Sequence, residues 1–531
     1  MDKYGLHWLD YLVVALSLVF SIAFGAAFAR RQKSTRRYFA AEGKIPAWAV
    51  GISILATLIS SVTFLAYPGE GYSSNWIRLV QGLMVPVVLI FMVWFVVPLY
   101  RDVIRLSAYE YFEKRFGFLA RLYSSLAFVL AHFSKMGTVF FLLALALSEM
   151  MGLNTIMIIW ILGLSVVILT VLGGIEAVIW LDVIQGFMLM AGGLLCAAVL
   201  LFTPEGGPVA MIRFAVEHNK IGFGPYAWDF TRLTFAVMAI NGIFYAIQKY
   251  GTDQTIVQRY LTARSDKEAI RASLIGIFLS VPVWTLFMFI GTLLFAYYNL
   301  TDATLPPNIR ADAVFPYFIM TELPPGITGL ILAALMAAAI SSLDSDMNCL
   351  AAIGVEDYYM RLRPNATDKQ RLWVGKILVA VSGIAACIVA TFYVFAGNKG
   401  VLGIIFTLYA IFSGGIAGLF LLGLFTRANK QGLYVGMAAC VLFTAWAVLT
   451  STPIGIGENK RLLLDLGPFN FTHHKYMLGV YSHFVLFGVG YLASFLFPRS
   501  EPDKSLTIHA WLEKRRENRR KKEAARIAEE I

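Results

Sequence analysis

The residues best equipped for chemistry lie inside apolar runs. The segment AAAISSLDSDMNCL places Ser341, Ser342, Asp344, Ser345, Asp346 and Asn348 within eight positions. Ser342, Ser345 and Asp346 stand at i, i+3 and i+4, so on a helix they share one face of hydroxyl and carboxylate oxygens. Hard cations such as Na⁺ take oxygen ligands of this kind. Asp182, in WLDVIQG, is either a second carboxylate for such a site or the cap of a helix N-terminus, where the dipole stabilises it. Lys135, in VLAHFSKMGTVF, sits too deep in its run to reach an interface and calls for a functional or paired role. Lys249 ends another run, and Arg78 with Gln81 opens a third at its outer mouth. These cations would suit an anionic solute. An interfacial arginine such as Arg78 also serves simply as a headgroup anchor.

The elements that must hold these groups are membrane helices. The chain has 531 residues, 58% hydrophobic and only 15% charged, with a mean hydropathy of +0.69. A soluble surface of this size needs about a quarter of its residues charged. Thirteen apolar runs near 9–29, 45–70, 79–100, 118–149, 155–172, 177–203, 231–250, 272–299, 325–354, 373–396, 401–424, 431–451 and 476–497 approach the length that crosses a bilayer. Basic residues gather in alternate loops, among them Arg36, Arg37, Arg101, Arg105, Arg259, Arg264, Arg361 and Arg363. That side is expected to be cytoplasmic, with the N-terminus outside, the C-terminus inside, and the chain in the plasma (inner) membrane. No cleaved signal peptide is expected.

Two spans are interrupted by polar residues in corresponding places. The second reads GISILATLISSVTFLAYPGEGY and contains Thr57, Ser60, Ser61 and Thr63. The seventh reads NGIFYAIQKYGTDQTIVQRY and contains Asn241, Gln248, Lys249, Gly251 and Asp253. Paired interruptions of this kind point to a transporter's central site, because irregular backbone at membrane depth is tolerated only around a cavity or inside protein. The net charge of +11 is spread unevenly, with a basic cluster at Lys514, Arg515, Arg516, Arg519, Arg520, Lys521 and Lys522 in the tail after Pro502. It therefore argues against nucleic acid and for either anionic lipid or a solvated helix as the tail's surroundings. The domains expected are a transmembrane unit over 1–498 and a basic cytoplasmic tail over 499–531. Cys196, Cys349, Cys387 and Cys440 lie in apolar runs without metal-like spacing and are expected in the core.

In order and spacing, the segments WAVGISILATLISSVTFLAYPGEGY, SAYEYFEKRF, GGIEAVIWLDVIQG, DQTIVQRYLTARS, GLILAALMAAAISSLDSDMN and GLFLLGLFTRAN resemble the sodium/solute symporter family. The first half is especially similar to its bacterial sialic acid carriers. The resemblance covers roughly residues 5–500. It implies an all-α leucine-transporter architecture, with inverted five-helix repeats over about 45–203 and 231–424. It further implies sodium at the carbonyls of Ala56 and Ile59 and at Ser342, Ser345 and Asp346, with Asp182 serving an additional sodium site. Asp346 departs from the Ser or Thr usual there. By the same resemblance Ser60 and Thr63 would meet substrate, Lys135 would replace a carboxylate-binding arginine, and Lys249 would replace a gate tyrosine. Leu58 stands in for a threonine, and a glutamine position is Gly82 beside Gln81. The function implied is sodium-coupled import of a small organic anion: a sialic acid, another sugar acid or a monocarboxylate. Na⁺ is the coupling ion and no other cofactor is expected. A neutral hexose or N-acetylhexosamine is the alternative, and it requires Lys135 and Lys249 to be neutralised by protein carboxylates. An embedded enzyme lacks a His/Asp, Cys/His or metal-spaced cluster here, and a sensor lacks a signalling domain.

Overall fold

In a bilayer every backbone amide must be satisfied within its own segment, so long apolar runs fold as helices. The computed structural model describes residues 6–396, 414–454, 461–498 and 506–530. Its helices begin with α1 (Trp8–Phe28), α2 (Thr35–Ala40), α3 (Ala47–Leu58), α4 (Ser61–Ser73), α5 (Leu79–Val103), α6 (Glu110–Phe116), α7 (Phe118–Met151) and α8 (Thr155–Phe202). They continue with α9 (Gly207–Glu217), α10 (Phe235–Gly251), α11 (Gln254–Thr262), α12 (Asp266–Leu300), α13 (Ala311–Thr321) and α14 (Ile327–Ile353). The last are α15 (Asp368–Ala396), α16 (Ile416–Phe425), α17 (Lys430–Ser451), α18 (Lys475–Ala493) and α19 (Ile508–Glu530).

Among the described residues nine helices are long and apolar enough to cross a membrane, and the bent pair α3–α4 makes a tenth. This differs from thirteen for physical reasons. Helix α8 runs 48 residues, about 70 Å at 1.5 Å per residue, more than twice a hydrocarbon core. It breaks at Gly174 (φ 58°, ψ −169°) into the two expected spans. A Cβ at Gly174 would lie 2.8 Å from the Tyr38 ring, which packs into the bend. The seventh span is short because its second part, α11, is polar. Residues 401–413 of the eleventh expected span lie outside the described residues.

The two polar interruptions are chain breaks. Helix α3 ends where Ile59 and Ser60 turn extended (ψ 111° and 176°), and α4 resumes bent by 57°. Helix α10 ends at Gly251, and α11 restarts with Asp253 as its cap, accepting from the Thr255 amide at 2.9 Å. Both breaks reach α14, of whose most apolar window 89% is buried, against 17% for α1. So α14 is the axis of the molecule and α1 lies at its rim. Glycines set the closest crossings. Gly51 of α3 faces Gly276 of α12, and Gly71 of α4 faces Gly291 of the same helix. An added Cβ at Gly291 would come within 2.1 Å of the Pro68 carbonyl.

Arg259, which the charge pattern places in a cytoplasmic loop, is fully buried on α11. The tail is docked at its start. Leu506, Ile508 and Trp511 are buried, and Arg515 pairs with Asp102 (3.4 Å) and with Asp266. All four cysteines are buried and unpaired.

Candidate functional site

A cavity of about 500 Å³ opens between α3, α7, α10 and the start of α11, a size that holds a small organic solute. Its lining alternates charge with apolar surface. Lys135 and His132 come from α7, Gln248 and Lys249 from α10, and Asp253 from the α10–α11 break, while Thr57, Leu58 and Ser60 come from the break after α3. The lysines are paired. Lys135 Nζ lies 3.0 Å from Asp346 Oδ2 and Lys249 Nζ lies 2.7 Å from Asp253 Oδ2. Asp346 is wholly buried, and Lys135 keeps 32% of its side chain exposed toward the cavity. His132, one helical turn before Lys135, brings its Nδ1 within 2.8 Å of Asp346 and its Nε2 within 3.5 Å of Asp253. Phe128 stacks on the imidazole at 3.7 Å between centroids and fixes its plane. Two carboxylates, two ammoniums and one imidazole thus form one continuous polar wall.

A second buried cluster lies on the other side of α14. Arg259 donates from Nη2 to Ser345 Oγ (2.7 Å) and Asp182 Oδ2 (3.0 Å), and from Nε to Ser53 Oγ (2.8 Å). Its Nη1 donates to the Thr255 carbonyl at 2.7 Å. Ser53 in turn donates to Asp182. Asp182 stands inside α8, eight residues beyond the Gly174 break, so it is no helix cap. Ser341 donates to the Ala56 carbonyl at 3.1 Å, tying α14 to the last turn of α3. Asp182 Oδ1, Ser342 Oγ and Asp344 Oδ2 are buried without a hydrogen-bond partner among the described residues. Unpartnered buried oxygens are costly, and each of these three lacks a partner among the described residues.

The arc at 342, 345 and 346 therefore splits. Ser345 faces Arg259 and Thr57, and the next residue, Asp346, turns about 100° further round α14 to meet α7. Of the residues expected at substrate, Ser60, Lys135, Gln248 and Lys249 line the cavity and Thr63 is buried outside its lining. Arg78 instead donates to Tyr476 Oη (2.8 Å) and pairs with Glu70 (2.9 Å), and Gln81 donates to Asn241 (3.0 Å). His132, Asp253 and Arg259 join these clusters only through the fold, which brings α7, α11 and α14 together. The available signals were the spacing of His132 to Lys135 and the polar run DQTIVQR continuing past the seventh span.

The sodium:solute symporter family matches residues 38–439 of this chain. A sodium/sialic acid symporter of Aliivibrio fischeri, NanT, is 34% identical over 84% of this chain and 89% of its own length. SiaT of Proteus mirabilis, also a sodium/sialic acid symporter, is 33% identical over 83% of this chain and 90% of its own. A solved sodium-coupled sialic acid symporter in a substrate-bound outward-open state superposes with a TM-score of 0.84 at 31% identity, covering 93% of this chain and 99% of that one. The fold, the two broken spans and these likenesses agree: the chain is a multi-pass membrane transporter and belongs to the sodium:solute symporter family.

Proposed function

We propose that the protein imports a small organic anion across the plasma membrane, driven by Na⁺ and needing no other cofactor, with its N-terminus outside and its tail at the anionic inner leaflet. The observation that carries the substrate reading is Lys135, a cation about one-third exposed that faces a solute-sized cavity at the level of the α3–α4 break. The sialic acid carriers to which the chain is similar support a carboxylate-bearing sugar as the first candidate. Sodium would bind where the Ala56 and Ile59 carbonyls meet Ser342 and Ser345, with Asp182 contributing its free oxygen. Arg259 holds two of those groups, so Na⁺ entry requires the guanidinium to move. Asp346 acts in this reading as the partner of Lys135.

One observation favours a second substrate class. Both cavity lysines are already neutralised by carboxylates, the condition under which a neutral hexose or N-acetylhexosamine fits. Uptake into proteoliposomes, with and without an inward Na⁺ gradient, from a panel of labelled acids and sugars separates the two. Acid uptake that collapses without the gradient supports the first reading. Uptake of sugars alone supports the second, and uptake indifferent to Na⁺ sinks both.

A further inference from the structure

On the side of the basic loops the cavity has a floor, and the C-terminal tail is docked next to it. The lining runs along α7 from Lys135 to Ala127 and takes in Tyr109, in the segment that joins α5 to α6. Gln254 of α11 grips that segment twice, accepting from the Ala108 amide at 2.7 Å and donating to the Leu106 carbonyl at 2.6 Å. A path from the cavity past Tyr109 therefore requires the helices on either side of this segment to part.

Those helices belong to two bodies. Helices α5 and α12 carry the broken spans, since α12 packs on α3 and α4 and α10 packs on α5. Helix α6 is tied to the other body. Its Glu113 pairs with Arg121 of α7 at 2.5 Å, and Arg121 also holds Asp357, just beyond α14, at 2.5 Å. The tail, which lies beyond the family match ending at residue 439, touches both. Tyr111 of α6 donates to the Leu506 carbonyl at 3.2 Å, and Leu506, Ile508 and Trp511 are buried. Arg515 then reaches Asp102 at the end of α5 (3.4 Å) and Asp266 at the start of α12. Its guanidinium lies 5.1 Å from the centre of the Trp511 ring, so the buried indole directs it. Arg101 holds the other oxygen of Asp266 at 2.8 Å, and the four charges form one net.

We infer that the tail is a clasp: while docked it pins the ends of α5 and α12 to α6, restrains the opening of the cavity floor and so slows exchange between the cavity and that side of the membrane. The clasp can be released. Arg515 and Asp102 keep 23% and 46% of their side chains exposed, so dissolved salt screens the pair. Access to the cavity thus becomes a function of ionic strength on the tail's side.

The test is the alkylation rate of a thiol placed at the cavity floor, Ala127→Cys, in the full chain in detergent with N-ethylmaleimide. This readout needs neither a substrate nor Na⁺. In that background, Arg515→Gln and deletion of residues 506–531 should each raise the rate several-fold, while Arg516→Gln, at an exposed neighbour, should leave it unchanged. Raising KCl from about 0.05 M to about 0.5 M should speed alkylation of the parent and have no effect on Arg515→Gln. Equal rates in the parent, Arg515→Gln and the shortened chain overturn the inference, and the readings of solute and coupling ion stand untouched. An equal rise with Arg516→Gln makes the effect one of net charge and overturns it as well. Should the shortened chain fail to fold, Arg515→Gln and its salt profile decide alone.

Discussion

At the residue scale, the chemistry turns on which cation each buried carboxylate holds. Lys135 contributes through charge-assisted bonds, of about 1.5–3 kcal/mol each. Lys135→Met should therefore weaken binding of an accepted acid by about tenfold or more. Because the substitution also strips Asp346 of its partner, the paired variant Lys135→Met with Asp346→Ser is the cleaner measurement. Calorimetric titration of both variants should find acid binding lost and neutral-sugar binding kept. Equal loss for acid and sugar would make Lys135–Asp346 a structural ion pair. On the other side of α14, Ser345→Ala removes an oxygen shared between Arg259 and the proposed ion, and should raise the Na⁺ concentration for half-maximal uptake several-fold. An unchanged sodium dependence would remove Ser345 from the ion site. Arg259→Gln leaves Asp182 buried and unpaired, at a cost of about 3–5 kcal/mol. The pair Arg259→Gln with Asp182→Asn should recover much of that stability in a thermal melt, a coupling that a double-mutant cycle reads directly.

At the element scale, the crossings of α12 with α3 and α4 are set by backbone contact. Gly291→Ala puts a methyl onto the Pro68 carbonyl, a contact that no rotamer relieves, and overpacking of this kind costs about 1–3 kcal/mol. A lower Tm is the expected result, and an unchanged one would mean the crossing is looser than described. Much of this level was legible in the sequence. Ser60, Ser61 and Pro68 interrupt an apolar run, and Lys249, Gly251 and Asp253 interrupt another, so both breaks could be located. Helix α11 could not be read as membrane-buried, because hydropathy scores side chains as though lipid surrounded them. Gln254, Gln258 and Arg259 are instead buried against protein partners, among them Asn348, Asp182 and the Ala108 amide. The same reason hid His132. A single imidazole in an apolar stretch looks like a core residue until the helices carrying Asp346 and Asp253 are brought up to it. Whether Asp182 caps a helix or lies inside one depends on where α8 breaks, which Gly173-Gly174 alone does not fix.

At the scale of the whole molecule, the sidedness proposed from the basic loops can be tested directly. The four native cysteines are buried, so introduced thiols report cleanly. Trp228→Cys, at a side chain 80% exposed between α9 and α10, should react with a membrane-impermeant maleimide on intact cells. Lys369→Cys, at the exposed start of α15, should react only after permeabilisation. The reverse pattern would invert the topology. The burial of α14 carries a further consequence, for biogenesis. This helix brings Asp344 and Asp346 into the membrane yet has almost no surface for lipid, so it gains little by entering the bilayer alone. Its partners are made first: His132 and Lys135 on α7, then Arg259 on α11, all precede it in the chain. During synthesis the acidic helix therefore emerges from the ribosome into a half-built protein whose cations already wait for it, and it inserts against protein rather than into fat.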